Sequence, residues 1–204
     1  MLITRIEQGK GKRYKVYSDC EFLFSLYGRE LKKYHIAENV DVSEDVLAGI
    51  LEDIIYKRAR EKALYLLESR SYTCYMMRDK LIRGEYPTTI VDRVISFLQE
   101  YHYLDDMAYV RMYVETYSKS KSRRQIQFDL RKKKIEKHLI DEYMSQQNYS
   151  EEECFRKQFD RYTRGKDMKD WSVRQKVFRY FLAKGFSYDL IEEYIKTRLD
   201  DVEE

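Results

Sequence analysis

Apolar residues recur in the same order in three windows of the chain, of which the first lies just before the middle of the sequence and the other two after it. The matching windows begin at Met77, Ile126 and Val177, 49 and then 51 residues apart, and each runs for nineteen residues without an internal gap. Amphipathic helices often agree at one or two positions by chance, but seven positions in register three times indicate an internal repeat. In the first window these positions are Met77, Leu81, Tyr86, Ile90, Val91, Val94 and Ile95.

Each repeat shows helical spacing in three segments that short turns separate. Pro87 lies at the first turn of a predicted helix, where a proline is tolerated, and Gly84 and Gly185 lie near helix ends, where a left-handed residue closes the backbone. The predicted first helices span about 56–69, 105–117 and 151–164. The second span about 73–83, 123–133 and 172–184, and the third about 87–100, 137–146 and 188–198.

Residues 2–26 have a different pattern, in which β-forming side chains alternate over the short runs 2–7, 13–18 and 21–26. Turn residues separate these runs, so we predict a small three-stranded meander that needs a helix to pack against. A short helix over about 28–34 follows. Ser43 is the predicted N-cap of a helical stretch, one long helix or two abutting ones, that reaches about residue 69.

These patterns predict a mainly α fold, with three tandem three-helix repeats that form an elongated curved array and a small N-terminal β-meander. We expect a β segment over 1–42, a leading helix with repeat 1 over 43–104, repeat 2 over 105–149 and repeat 3 over 150–204. One Pro and seven Gly in 204 residues favour long helices over a sandwich or barrel, which needs many turn residues.

Composition changes the picture in two respects. The chain has 20 Tyr, whose ring and polar tip suit either a thin, half-buried core or a binding surface. It has three Cys without a CxxC pair, no apolar N-terminal region and no apolar stretch near the ~18 residues that span a membrane. We therefore expect a cytoplasmic protein without a membrane contact, and a monomer because no leftover coiled-coil seam is evident.

Basic charge is concentrated in one segment. Residues 118–137 hold nine Lys and Arg against two carboxylates, a balance of +7 in a chain whose net charge is +3. Cations at the C-terminus of a helix suit its dipole, but cations at the N-terminus do not, and the latter placement suggests an external anion. A plain solvated face is the alternative. The candidate partner or DNA contacts are Lys119, Lys121, Arg123, Arg124, Arg131, Lys132 and Lys133.

Catalytic or metal-binding patterns are not apparent, so we expect neither an enzyme nor a cofactor. The three His lie far apart, and no phosphate-cradling glycine-rich loop is present. The adjacent carboxylates Asp105 and Asp106 are the most enzyme-like pair. A helix N-terminus accounts for both of them, because Asp caps helices and its charge favours their positive end.

Several segments resemble the RecX family of regulatory proteins, and together they cover about residues 56–198. Arg58–Leu64 resembles the opening of RecX proteins, and the family resemblance extends to Tyr103-Leu104-Asp105-Asp106 with the basic connector. The run from Asp129 to Ile135 is similar to the family's E-L-x-x-K-G-I, and Phe181–Phe186 to its closing L-x-x-R-G-F. The chain departs from the pattern at Asp129, which replaces Glu, and at Lys134, which replaces a usual Gly.

The resemblance implies a regulator of homologous recombination, DNA repair and the SOS response. Such a protein would lodge in the groove of the RecA filament on DNA and limit its extension, ATP hydrolysis and strand exchange. The residues themselves leave open an autonomous, nonspecific nucleic-acid-binding protein, or a weak direct DNA contact beside RecA binding. Base reading is not favoured, because the third helices carry mixed or acidic exposed faces.

Overall fold

The computed structural model describes residues 1–146 and 151–200. The chain divides into two compact units, residues 1–105 and 106–204. The first unit holds an antiparallel sheet and the first helical repeat, and the second unit holds the other two repeats. The prediction of a mainly α chain with three helical repeats and a small N-terminal meander is confirmed.

The N-terminal sheet has three antiparallel strands in sequential order, β1 (Arg5–Gln8), β2 (Arg13–Ser18) and β3 (Glu21–Tyr27). β1 begins later than the sequence predicts, because Leu2 and Ile3 pair instead with residues 39–41. That pairing returns the chain to the sheet after α1 (Gly28–Lys33). The tight turn between β2 and β3 places Asp19 and Cys20 at positive φ, the conformation that hairpin turns of this length require.

The stretch after Ser43 is one continuous helical run with a π-helical segment in its middle. α2 (Glu44–Ile50) starts at Ser43, whose side chain accepts a hydrogen bond from the backbone N–H of Val46. The π-helical segment Leu51–Tyr56 joins it to α3 (Lys57–Ser69). Of the two predicted alternatives, one long helix or two abutting ones, the structure therefore shows one continuous run with a widened turn in its middle.

Each repeat consists of three helices, as the spacing predicts. Repeat 1 contains α3, α4 (Cys74–Arg83) and α5 (Thr88–Glu100). Repeat 2 contains α6 (Asp106–Tyr117), α7 (Arg123–Lys132) and α8 (Lys137–Gln146). Repeat 3 contains α9 (Glu151–Thr163), α10 (Trp171–Ala183) and α11 (Tyr188–Asp200).

The seven repeated apolar positions form the core. All seven are buried in repeats 1 and 2 except Leu139, which is half-buried, as are Leu190 and Tyr194 in repeat 3. The described buried hydrophobic residues form three clusters, and the first joins the sheet to repeat 1. The sheet is therefore stabilised by the same core as the first repeat, which a three-stranded sheet of this size needs.

The turn after the second helix of each repeat has one geometry in all three. Glu85, Lys134 and Gly185 occupy equivalent positions and all have positive φ, at 62°, 60° and 86°. The following residue donates its N–H to the carbonyl five residues back, as from Phe186 to Phe181 at 3.2 Å. The left-handed residue in repeat 1 is thus Glu85. Gly84 lies at the helix end, as predicted, but the prediction of a left-handed conformation there was wrong, because its φ is −78°.

Candidate partner-binding surface

Helix α7 carries most of the predicted contact residues, and a buried serine fixes where it begins. Ser122 is only 1% exposed, and its Oγ accepts the backbone N–H of Gln125 at 3.1 Å. The same hydroxyl donates to the carbonyl of Lys184 at the end of α10, at 2.6 Å. One side chain therefore caps α7 and ties repeat 2 to repeat 3 within the second unit.

A carboxylate of the chain itself lies at the α7 N-terminus, where the sequence suggested an external anion. Oε1 of Glu151, the first residue of α9, accepts the backbone N–H of Arg123 at 3.0 Å. The Arg123 guanidinium donates to the carbonyl of Met144 at 2.9 Å. Arg123 thus links α7 to α8, and Glu151 supplies the negative charge that this helix end favours.

Lys121 is engaged in a network inside repeat 2. Its Nζ lies 2.7 Å from Oδ2 of Asp129 and 2.8 Å from the Tyr113 hydroxyl, and 4.2 Å from the centre of the Tyr117 ring. Asp129 also accepts the Tyr113 hydroxyl at 3.1 Å and the Gln125 amide at 3.0 Å. Tyr113 and Tyr117 of α6 therefore pack against Lys121.

The pKa values of this network follow from these hydrogen bonds. Burial alone would raise the pKa of the Asp129 carboxyl, but the hydrogen bonds from Lys121, Tyr113 and Gln125 hold that pKa below its ordinary value. Burial would likewise lower the pKa of Lys121, but its hydrogen bonds to Asp129 and Tyr113 raise it. Both groups are charged at neutral pH, so the network is an ion pair.

Lys133 also faces inward, with its Nζ 5.6 and 5.7 Å from the ring centres of Tyr109 and Tyr113. Its side chain is half-buried. A cation over tyrosine rings stabilises the repeat itself. The predicted cations thus sort into two sets. The half-buried set comprises Lys121, Arg123 and Lys133, and the exposed set comprises Lys119, Arg124, Arg131 and Lys132.

Three of the exposed cations share one face of α7 with an exposed aromatic ring. Arg124, Phe128, Arg131 and Lys132 follow the i, i+4, i+7, i+8 spacing of one helical face, which we call the α7 face. Phe128 is 53% exposed, and the Lys132 Nζ lies 4.9 Å from its ring centre. Lys119 lies apart from this face, on the connector before α7.

Sequence reasoning missed Phe128 as a functional candidate. The signal was present in the repeat register, because the equivalent positions in repeats 1 and 3 hold Asp79 and Arg179. An apolar residue at a position that is polar in the other repeats points outward, since the core positions are already filled on either side. The amphipathic pattern alone counted it only as one more hydrophobic residue in the helix.

A groove of about 330 Å³ adjoins Phe128. It lies between α7 and the end of α10, and its lining consists of Arg124, Gln125, Phe128, Leu182, Ala183 and Gly185. Gly185 allows this approach: a Cβ there would lie 2.9 Å from the Ser122 Oγ, and its φ of +86° disfavours any side chain. The groove thus combines apolar side chains with the guanidinium of Arg124.

The described residues contain neither a metal-binding cluster nor a membrane-spanning helix. In the part of the chain that the structure describes, no three His, Cys, Asp or Glu side chains are placed to hold a metal ion. None of the described helices is long and apolar enough to cross a bilayer. Asp105 directly precedes α6, and Asp106 lies in its first turn, where a carboxylate favours the helix dipole.

Comparison with known proteins assigns all three repeats. Models of the first, second and third three-helix domains of RecX match residues 59–98, 105–144 and 150–195. The regulatory protein RecX of Clostridium acetobutylicum is 30% identical over 203 residues, which cover 95% of this chain and 94% of the relative. The regulatory protein RecX of Clostridioides difficile is 27% identical over 205 residues, which cover 98% of this chain and 96% of the relative.

Two solved structures have the same fold. A crystal structure of a regulatory protein RecX superposes with a TM-score of 0.61 at 26% identity, covering 96% of this chain and 98% of that one. The crystal structure of RecX from Lactobacillus salivarius superposes with a TM-score of 0.62 at 22% identity, covering 71% of this chain and 96% of that one. This likeness shows the fold alone. Since three domain models in order and a relative matched over almost its whole length agree, this chain belongs to the RecX family of regulatory proteins.

Proposed function

We propose that this protein binds the RecA nucleoprotein filament and inhibits its extension, ATPase activity and strand exchange, and that the α7 face is a contact surface. Membership of a family of regulatory proteins supports a regulatory role. The observation that carries the surface assignment is the exposed Phe128 with Arg124, Arg131 and Lys132 around it.

The α7 face has the composition of a protein-binding surface. Aromatic and Arg side chains dominate the binding energy of most interfaces, particularly where an apolar centre is surrounded by a polar rim. The groove beside Phe128 and the exposed Leu182 extend the apolar area, and the three cations would meet acidic groups or phosphates of the filament.

The helix that presents this face is held in place from both ends. Ser122 and Glu151 bind its N-terminus, and the turn at Lys134 closes its C-terminus with an N–H bond from Ile135 to Leu130. A rigid presentation matters because a preordered surface loses less conformational entropy when it binds.

The test is RecA ATPase on single-stranded DNA, titrated with substoichiometric amounts of the full chain, beside a DNA-binding assay without RecA. Inhibition at protein levels too low to coat the DNA supports the proposal. No effect on ATPase, together with tight and salt-sensitive DNA binding, would favour the autonomous nucleic-acid binder, for which the basic segment is the supporting observation.

A surface variant tests the α7 face itself. It combines Phe128→Ala with Ala at Arg124, Arg131 and Lys132, and we expect about a tenfold or greater rise in the concentration needed for inhibition. The matched control removes one exposed aromatic residue and three exposed cations elsewhere in the same unit: Trp171→Ala with Ala at Arg164, Lys169 and Lys176. If the α7-face variant and the control variant inhibit RecA ATPase at the same concentration, the α7 face is excluded as the contact surface.

A further inference from the structure

A second basic surface lies in the first unit, around the turn between β1 and β2. Two adjoining cavities of about 760 and 630 Å³ lie beside this turn, and both are lined by Gly11, Lys12 and Tyr27. The sheet forms one wall, and α1, α3 and α4 contribute the others through residues such as Lys32, Lys62 and Lys80. We call this surface the hairpin cleft.

The turn that forms the cleft is fixed on the end of α4. The backbone N–H of Lys10 donates to the Glu85 carboxylate at 3.0 Å, and the Arg13 guanidinium donates to the Gly84 carbonyl at 3.0 Å. Gly9 permits this approach, because a Cβ at that position would lie 2.8 Å from Oε2 of Glu85. The cleft is therefore preformed rather than assembled by its ligand.

Most carboxylates near the cleft are already engaged. Glu85 is only 10% exposed in its side chain and pairs with Arg13 and Lys15, both at 3.6 Å. Glu30 pairs with Arg58. Neither of these carboxylates lines the two cavities, and Glu61 is the one acid among the described lining residues.

Five exposed cations of the lining form no ion pair with the residues that the structure describes. They are Lys12, Arg29, Lys32, Lys62 and Lys80. Lys12 lines both cavities, and the other four cations are divided between them. Like charges that line adjoining cavities repel each other, and a mainly positive cleft concentrates its potential toward an anionic ligand. The number of cations suits a ligand with several negative charges.

Two exposed tyrosines lie among these cations. Tyr14 is 38% exposed and Tyr27 is 42% exposed, and both line the cleft. The Arg58 guanidinium lies 4.8 Å from the centre of the Tyr27 ring and supports that ring. Aromatic rings interleaved with cations are the pattern by which proteins hold single-stranded nucleic acid, because bases stack on the rings while cations contact phosphates.

We infer that the hairpin cleft is a binding site for single-stranded nucleic acid, with the five cations on the phosphates and Tyr14 and Tyr27 on the bases. This site is separate from the α7 face and does not depend on RecA. It also gives the N-terminal sheet a function, since the sheet supplies the turn and both tyrosines.

The first test measures binding of a fluorescein-labelled oligothymidylate by the full chain, from fluorescence anisotropy at several salt concentrations. The cleft variant carries Ala at Lys12, Lys32, Lys62 and Lys80. We expect its affinity to fall at least about tenfold. The slope of log K against the logarithm of the salt concentration should become less steep by roughly 0.7 for each phosphate that the variant no longer neutralises. The control removes four exposed cations of repeat 3, with Ala at Arg164, Lys169, Lys176 and Arg179, and should bind within about threefold of wild type. Circular dichroism verifies that both variants are folded.

The second test separates nucleic acid from an acidic peptide. Tyr14→Leu and Tyr27→Leu, made singly, should each weaken oligothymidylate binding about five- to hundredfold and leave binding of polyglutamate unchanged. The inference is overturned if the wild type does not bind the oligonucleotide, if the cleft variant binds as tightly as wild type, or if the control weakens binding as much. Polyglutamate binding as tight as the oligonucleotide, with no effect of either tyrosine, would assign the cleft to an acidic protein segment instead. Because the assay contains no RecA, its failure leaves the ATPase test of the proposed function intact.

Discussion

The Lys121–Asp129 network gives the sharpest prediction for stability. In Asp129→Asn the carboxylate that accepts three hydrogen bonds becomes a neutral amide, and Lys121 loses its counter-charge. The side chains are 29% and 19% exposed, so solvent screens the pair only in part. Hydrogen bonds to charged groups contribute about 1.5–3 kcal/mol, whereas a fully exposed pair contributes about 0–1 kcal/mol. We expect the free energy of unfolding to fall by about 2 kcal/mol.

A double-mutant cycle isolates the pair from the other interactions of each residue. Lys121→Met keeps the apolar stem over Tyr113 and Tyr117 but removes the charge. Wild type, the two single variants and the double variant are compared by urea unfolding at neutral pH, followed by circular dichroism. We expect a coupling free energy of about 1–2 kcal/mol. As a control, Glu192→Gln removes an exposed pair with Lys196 in the same unit and should cost under about 0.5 kcal/mol.

The pH dependence follows from the direction of each pKa shift. Since folding lowers the pKa of Asp129, its stabilisation is complete above the unfolded value of about 3.9 and is lost as the pH falls through the folded pKa. Since folding raises the pKa of Lys121, its stabilisation is complete below about 10.4 and is lost as the pH rises through the folded pKa. The difference between wild type and Asp129→Asn should therefore be constant from about pH 5 to 9 and shrink in acid. A coupling below about 0.5 kcal/mol, or a difference that persists in acid, would refute the reasoning.

Three further substitutions test the repeat. Lys134→Gly should stabilise the protein by about 0.5–1 kcal/mol, because Gly adopts the positive φ of 60° without strain, whereas Lys134→Ala should not; urea unfolding compares the two. Gly185→Ala should destabilise by about 1–3 kcal/mol in the same assay, since its Cβ would meet the Ser122 Oγ at 2.9 Å, and an unchanged midpoint would contradict this close approach. Leu130→Ala should lower the free energy of unfolding by about 2–5 kcal/mol as a core deletion, whereas Leu182→Ala at an exposed position should lower it by under about 1 kcal/mol. Similar destabilisation of the two variants in thermal unfolding would argue against the assigned core.

The sequence by itself determined the repeat, its helices and most of its core. These features depend on local periodicity, which each segment carries without reference to the rest of the chain. Ser43 and Pro87 are predicted at helix starts, and the structure has them there, because capping involves neighbours only a few residues away. The left-handed position after the second helix was harder to place, since the repeat keeps the conformation at Glu85 and Lys134 without keeping a glycine.

Only the tertiary structure decided what the charged residues do. The anion at the α7 N-terminus is Glu151, 28 residues from Arg123, and the acceptor for Lys10 is Glu85, 75 residues away. Helical or strand periodicity carries no information on such distant pairs, because side chains far apart in sequence meet only when the elements pack. The basic segment therefore looked uniform in the sequence, whereas packing divides its candidate contact residues into half-buried cations and exposed ones, three of which lie around Phe128.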